Sequence, residues 1–317
     1  MNKILLSVVI CSYNRCKSLE STLESLVSQE NDGSFDYEIL LVDNNSSDKT
    51  RETVESFYSR FDGKLKYFFE GKQGKSLALN HGVAQAKGDI VVFTDDDVII
   101  DKKWLRSIAL CNQKYHFDAM GGRVLPSYPD HTPKWIKDNK DVLYGPIVAH
   151  DYGEVTKPYD AQMVPLIGAN MAIRKELFGH FGLFREDMGP GFGTKGEETD
   201  YIRRLEKGSK KIYYCGQALA WHGVEKERMN LGYIASWGLG YGKYNVLKDM
   251  GKVDPGIVCL FGIPRYLFRR TVLSGFALFT GLFNMRKFLQ LWRDFFCNIG
   301  MVIGYRIAYQ NSKTQGS

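Results

Sequence analysis

The chain has 317 residues, 44% hydrophobic and 25% charged, with a net charge of +6 from 42 basic and 36 acidic side chains. That is a globular composition with length enough for a large core, and it excludes disorder, collagen and coiled coil as the main theme. Residues 257–317 hold eight of the basic side chains and one acid, Asp294; the rest has 34 basic against 35 acidic residues, a net of −1 that argues against a nucleic-acid-binding body.

In chain order, residues 5–11 are an apolar, β-branched run and predict a first core strand. The run is too short, and lacks the small-residue cleavage site, for a signal peptide. A helix follows with Leu19, Leu23, Leu26 and Val27 on one face. Residues 37–42 predict a second buried strand ending at Asp43. Residues 48–61 predict a helix with Val54, Phe57, Tyr58 and Phe61 inward and Ser47 as its N-cap. Strand 65–69, helix 75–87 closed by Gly88, and strand 90–94 come next, the last running into three aspartates. Strands alternating with helices imply parallel βαβ units covered on both faces.

The texture changes after Gly122: six of the nine prolines lie between Pro126 and Pro165, a pattern that predicts loops over a site. Order returns at 166–174. The glycine-rich stretch 182–196 predicts a lid that orders on ligand binding. A helix at 197–207 and two short strands, 211–214 and 218–221, follow; beyond residue 231 the pattern is helical, aromatic and basic. The six cysteines form no CxxC pair, which points to reduced thiols in the cytosol and against a zinc cluster. The longest apolar run, 271–285, is too short to span a membrane.

In open α/β sheets, ligands bind beyond the carboxyl ends of the strands. Three predicted strand ends are polar together: Ser12-Tyr13-Asn14-Arg15, Asp43-Asn44-Asn45-Ser46 and Asp95-Asp96-Asp97. A turn or helix cap explains Ser46-Ser47-Asp48 equally well. Three adjacent aspartates repel one another unless a cation compensates, and carboxylates with few other ligands suit Mg²⁺ or Mn²⁺ holding a diphosphate. An EF-hand, a Walker A loop and a G-x-G-x-x-G after the first strand are all absent from the sequence. Gly238, Gly240 and Gly242 fall in a late helical pattern, where they predict close packing.

The segments SVVICSYNR, ILLVDNNSSDKT, GKQGKSLALNHGVAQAKGDIVVFTDDD, GANMAIRKELF and GEETDYIRRLEKG occur in this order between about residues 6 and 222. This succession resembles the inverting glycosyltransferases of family 2, of the bacterial polysaccharide type. The resemblance implies a GT-A fold: a Rossmann-like, mostly parallel central sheet flanked by helices, with a C-terminal helical extension. It implies a catalytic domain over 1–228, divided into a nucleotide-sugar half (1–122) and an acceptor half (123–228), and an extension over 229–317. Ser12, Tyr13, Asn14 and Arg15 would line the nucleotide pocket, Asp43 would accept a hydrogen bond from the base, and Asn45 lies in the same pocket. Lys75 and Asn80 would lie near ribose or diphosphate, and Gly168 and Asn170 beside the donor sugar. Asp95, Asp96 and Asp97 match the D-x-D motif, with Asp97 the direct metal ligand and Asp95 and Asp96 on the ribose and its surroundings. Glu197-Glu198 stands where the family has Glu-Asp, and Cys11 where it has proline. Glu198 is the preferred base, with Glu197 and Asp200 open as alternatives; acids at a helix start also complement its macrodipole.

A ligand from another strand end would complete the metal site, and His222 is placed for it; a hydrogen-bonded structural histidine is the other reading. The tail interleaves aromatics with arginines, a pattern of helices lying on an anionic membrane surface or packing on the core. The function implied is transfer of a sugar from a nucleotide-diphosphate sugar, a UDP-sugar above all, to a saccharide or lipid-linked acceptor. The implied setting is cell-surface polysaccharide synthesis, in the cytoplasm or on the inner face of the cell membrane. A catalytically silent sugar-binding or scaffold protein and a nucleotidyltransferase are the competing readings.

Overall fold

The computed structural model describes residues 3–160, 163–188, 196–249, 251–253 and 256–314. The chain divides into two compact units: Met1–Ser127, Val148–Phe192 and Glu197–Gly223, and Tyr128–Ile147, Gly193–Gly196 and Val224–Ser317.

The first unit begins β1 (Ile4–Ser12), α1 (Cys16–Val27), β2 (Phe35–Asp43), α2 (Thr50–Ser56), β3 (Leu65–Phe69), α3 (Lys75–Gln85) and β4 (Ile90–Asp95). It continues with β5 (Val98–Ile100), α4 (Trp104–Tyr115) and β6 (Ala119–Ser127); a single turn, α5 (Lys134–Lys137), belongs to the second unit. Then come β7 (Lys157–Pro158), β8 (Met171–Arg174), α6 (Leu177–Phe181), α7 (Glu197–Lys207) and β9 (Ile212–Gly223). One sheet joins them in the order β3-β2-β1-β4-β8-β6-β9-β5, with β7 on β9. The ladders set β1, β2, β3, β4, β6 and β9 in one direction and β5, β7 and β8 against them. The mixed α/β sheet flanked by helices is the architecture that the sequence implies.

Alternation along the strands splits the core. Leu6, Val8 and Ile10 of β1 face Leu19, Leu23 and Leu26 of α1, and Val9 faces the opposite layer with Leu79 and Val83 of α3. Each such fully buried side chain contributes about 1.5–3 kcal/mol.

The expected helix over 48–61 is shorter: α2 covers Thr50–Ser56 and a 3₁₀ turn follows at Tyr58–Arg60. Ser47 is no N-cap, because its backbone N–H and hydroxyl both donate to Asn14 Oδ1, at 2.8 and 3.3 Å. Asp48 closes the first turn instead, accepting from the Thr50 N–H at 3.0 Å. The tighter turn rotates Tyr58 outward, 40% exposed, where the sequence pattern placed it inward. The two strands expected at 211–214 and 218–221 are one, β9, interrupted by a register shift: Gly122 pairs Cys215, yet Arg123 pairs Leu219.

The second unit is helical: α8 (Leu231–Leu247), a small hairpin of β10 (Cys259–Leu260) and β11 (Ile263–Pro264), α9 (Arg265–Ala277) and α10 (Met285–Thr314). Gly238 and Gly242 of α8 sit against the α10 backbone. A Cβ at Gly242 would lie 2.1 Å from the Cys297 carbonyl oxygen, so only glycine permits the approach. Among the described residues no helix is long and apolar enough to cross a membrane.

Candidate functional site

Co-directional strands bring their carboxyl ends to one edge of the sheet. Ser12 pairs Asp43 across β1 and β2, and Cys11 pairs Asp95 across β1 and β4. β1 is also where the strand order reverses, the place at which such sheets bind ligands. β5 pairs antiparallel with β9 so that Val98 lies opposite His222, which sets that histidine beside Asp97.

Asp95, Asp97 and His222 form a trio whose ligand atoms all lie within 4.8 Å of one another. That spread fits donors around one cation held at about 2.1 Å. His222 is buried, and its Nδ1 lies 2.9 Å from the Gly223 carbonyl, which can only accept. Nδ1 therefore carries a proton, and Nε2 faces Asp97 Oδ1, 3.2 Å away. Two acceptors at that separation call for a proton or cation between them, and a backbone-anchored imidazole is the usual arrangement of a metal-binding histidine. Oxygen and imidazole donors together could hold Mn²⁺ or Mg²⁺, and the imidazole favours Mn²⁺.

The other Asp97 oxygen, Oδ2, accepts from Arg15 Nη1 at 2.7 Å. Asp96 is turned inward beside Ser12. Burial pushes its carboxyl up to about 7; the Ser12 hydroxyl favours the charged form, and the charge of Asp97 opposes it.

Lys75, in the first turn of α3, reaches two carboxylates at once: Asp95 Oδ1 at 3.0 Å and Glu198 Oε1 at 3.1 Å. Burial disfavours its charge, but Asp95, Glu198 and Glu197 outweigh that and hold the ammonium well above the ordinary lysine range.

The orientation of α7 separates its acids. Glu197, Tyr201 and Leu205 follow one buried stripe at four-residue spacing, and Tyr201 packs on Phe178 and Phe184 at 4.9 and 5.1 Å between centroids. Glu197 is carried inward with them, and burial, reinforced by the charge of Glu198, pushes its carboxyl up to about 8. Glu198 takes the place beside Lys75. Asp200 points elsewhere, toward Arg204 at 3.1 Å and Arg185 at 3.9 Å. Gly168 makes room for Glu198, since a Cβ there would lie 2.3 Å from Oε1.

The remaining expected residues divide. Asp43 is buried at the β2 end, accepting from the Ser46 N–H at 2.9 Å and the Tyr67 hydroxyl at 2.7 Å. Asn14 and Asn45 both adopt positive φ in the turns beside it, and Tyr13 is 48% exposed. Asn80 turns to the segment after α6: it donates to the Phe184 carbonyl and accepts from the Phe184 N–H, both at 3.0 Å. Asn170 is buried in a structural role. It accepts from Trp104 Nε1 at 2.8 Å and donates to the Arg123 and Ala218 carbonyls at 3.0 and 2.8 Å, where the β6–β9 register shift occurs.

Sequence reasoning missed Tyr67 as a partner of Asp43, because a tyrosine in an edge strand gives no signal of what it faces. It also missed the double attachment of Lys75, which joins segments 123 residues apart in sequence. The expected lid over 182–196 falls in part on 189–195, outside the described residues.

A sequence profile described as Glycosyl transferase family 2 matches residues 7–182, more than half of the chain. The chain belongs to glycosyl transferase family 2. The family 2 match ends before α7 and β9, so the placement of Glu198 and His222 rests on the geometry above. Among relatives, the chain is 32% identical to Glycosyltransferase AglE of Haloferax volcanii over 124 residues, 39% of this chain and 40% of AglE. It is 38% identical to the GalNAc(5)-diNAcBac-PP-undecaprenol beta-1,3-glucosyltransferase of Campylobacter jejuni over 94 residues, 29% of each chain. The chain thus spans well under half the length of these relatives.

Two solved structures share the fold. Staphylococcus aureus TarS 1–349 in complex with UDP-GlcNAc aligns over 98% of this chain and 92% of its own, at 16% identity and a TM-score of 0.55. The Pyrobaculum calidifontis mannosyltransferase PcManGT, in complex with GDP-Man and Mn²⁺, aligns over 100% of this chain and 77% of its own, at 17% identity and 0.55.

Proposed function

We propose that this chain is a metal-dependent inverting glycosyltransferase. In this reading it moves a sugar from a nucleotide-diphosphate sugar, a UDP-sugar, to a saccharide or lipid-linked saccharide acceptor of cell-surface polysaccharide synthesis. The observation that carries the reading is the pairing of a cation-binding trio, Asp95, Asp97 and His222, with a carboxylate, Glu198, across the single ammonium of Lys75. A displacement at an anomeric carbon needs those two functions on opposite sides: charge neutralisation for the leaving diphosphate and a base for the incoming hydroxyl.

Asp97 and His222 would be the direct metal ligands, with Asp95 beside them; the ion, when bound, supplies positive charge to the leaving group. Glu198 takes the acceptor proton. Glu197 is carried inward with the buried stripe of α7, away from Lys75, and Asp200 is engaged by arginines. The β1 and β2 ends, from Ser12 to Arg15 with Asp43 and Asn45, receive the nucleotide. Arg15 and Lys75 add positive charge for the diphosphate. The relatives support a lipid-linked or polysaccharide acceptor, and such an acceptor would place the enzyme on the inner face of the cell membrane. Catalysis and donor binding are assigned to 1–228, with 229–317 as an extension.

The experiment is incubation with Mn²⁺ and a panel of UDP-, GDP- and dTDP-sugars, read as nucleoside-diphosphate release. Asp97→Ala and Glu198→Ala should each abolish release; turnover surviving both changes overturns the assignment. Mn²⁺ binding, followed by electron paramagnetic resonance, should weaken in Asp97→Ala and His222→Ala while Glu198→Ala binds as the parent does.

A further inference from the structure

From Pro255 to Arg293 the sequence contains no acid and six cations, Arg265, Arg269, Arg270, Arg286, Lys287 and Arg293. In the second unit this stretch is also where apolar side chains stand in solvent. Val272, Phe276, Phe279 and Phe283 are 58, 66, 69 and 103% exposed, with Phe268 at 36% on the same line. Their spacing of four, four, three and four residues traces one face of α9 and continues through the 3₁₀ turn Leu278–Gly281. Leu267, the one described buried side chain of α9, lies on the other face, so the helix is anchored and oriented. Leu273 and Tyr266 widen the stripe, Arg265 and Arg269 lie along it, and Arg270 stands toward the Leu267 side, all exposed.

An aromatic face this continuous is unusual on a monomer's surface and marks a contact site. Two features choose the partner. The flanking charge is of one sign, whereas a self-complementary face between two copies would set like charges together. Arginines bordering apolar rings also match an interface in which rings enter the acyl boundary while guanidinium groups stay with headgroup phosphates.

We propose that the second unit docks on an anionic lipid bilayer through this face, with Phe276, Phe279 and Phe283 inserting and Arg265, Arg269 and Arg270 on lipid phosphates. The proposal rests on the second unit alone, so transfer to a soluble acceptor is untouched by its failure, and it survives failure of the transfer reading.

The test is flotation of the full chain with vesicles of phosphatidylglycerol and phosphatidylcholine, against vesicles of phosphatidylcholine alone. The parent should float with anionic vesicles at about 0.05 M salt and be largely released at about 0.5 M, where screening is short-ranged. Changing Phe276, Phe279 and Phe283 to Ser should abolish flotation with the thermal melt unchanged, since all three are exposed. Changing Arg265, Arg269 and Arg270 to Gln should lower partitioning on the order of 100-fold and flatten its salt dependence. A parent that stays out of the vesicle fraction, or variants that float equally well, overturns the proposal. So does a parent that is dimeric by light scattering and becomes monomeric in the phenylalanine variant without any vesicle binding; that result assigns the face to a second copy.

Discussion

Lys75 Nζ lies 3.1 Å from Glu198 Oε1, and the same ammonium lies 3.0 Å from Asp95 Oδ1. One cation thus ties the proposed base on α7 to Asp95, a member of the proposed metal-binding trio. Glu198→Gln should lower kcat by about 10²–10⁴-fold, the usual reach of a general base, and leave UDP affinity by calorimetry unchanged. Lys75→Met should lower kcat by about 10-fold or more, because two carboxylates lose their common counter-ion, with Lys75→Arg recovering part of the loss. Equal UDP affinity and equal kcat in Lys75→Met would show that the bridge has no part in turnover.

Gly168 gives Glu198 its place. With a Cβ only 2.3 Å from Oε1, Gly168→Ala should displace the carboxylate and lower kcat by about 10-fold or more, with the chain still folded by circular dichroism. In a Glu198→Asp background the shorter side chain leaves room, so the same change should cost less. A double-mutant cycle on kcat measures the difference; strict additivity would mean that the two residues do not compete for space.

Asn170 holds three buried groups together. Asn170→Ala strips partners from Trp104 Nε1 and from the Arg123 and Ala218 carbonyls at the register shift. Buried polar groups left unpaired cost about 1–3 kcal/mol each. With partial relaxation, urea unfolding should report a loss of about 2–4 kcal/mol. A change below about 0.5 kcal/mol, the range of ordinary surface substitutions, would place the amide outside the stability of the sheet.

The inward turn of Glu197 makes stability depend on pH. Its carboxyl is raised from an ordinary value of 4.5 to about 8, first by burial and then by the charge of Glu198. Between those values the folded chain holds a proton that the unfolded chain has released. Stability from this group is therefore complete below about pH 4.5 and declines as pH rises through 8. Glu197→Gln cannot ionise and should flatten that part of the curve. The check is the difference in Tm between Glu197→Gln and parent from pH 5 to pH 8, which should grow with pH; a constant difference would mean that Glu197 titrates normally.

Much of the first unit is legible in its sequence because its strands are buried on both faces. The runs 5–11 and 90–94 are apolar but for the buried Ser7 and Thr94, and α7 appears at its full extent, since Tyr201, Ile202 and Leu205 repeat at helical spacing. What failed was local competition. Ser47 reads as a helix cap until Asn14, 33 residues away in sequence, takes its N–H. The register shift of β9 reads as a gap between two strands because pattern alone does not carry pairing.

The candidate site divides in the same way. The sequence by itself determined the polar strand ends, the three aspartates and the acidic start of α7, because these are contiguous chemical patterns. Only the tertiary structure decided which groups meet. The antiparallel ladder of β5 on β9 carries His222 to Asp97, the buried stripe of α7 turns Glu197 inward and leaves Glu198 to Lys75, and Asn170 is spent on the sheet. The reason is physical: a side chain's identity fixes the bonds it can make, but its partner is set by register and helix rotation, and both are fixed by the burial of apolar residues elsewhere in the chain.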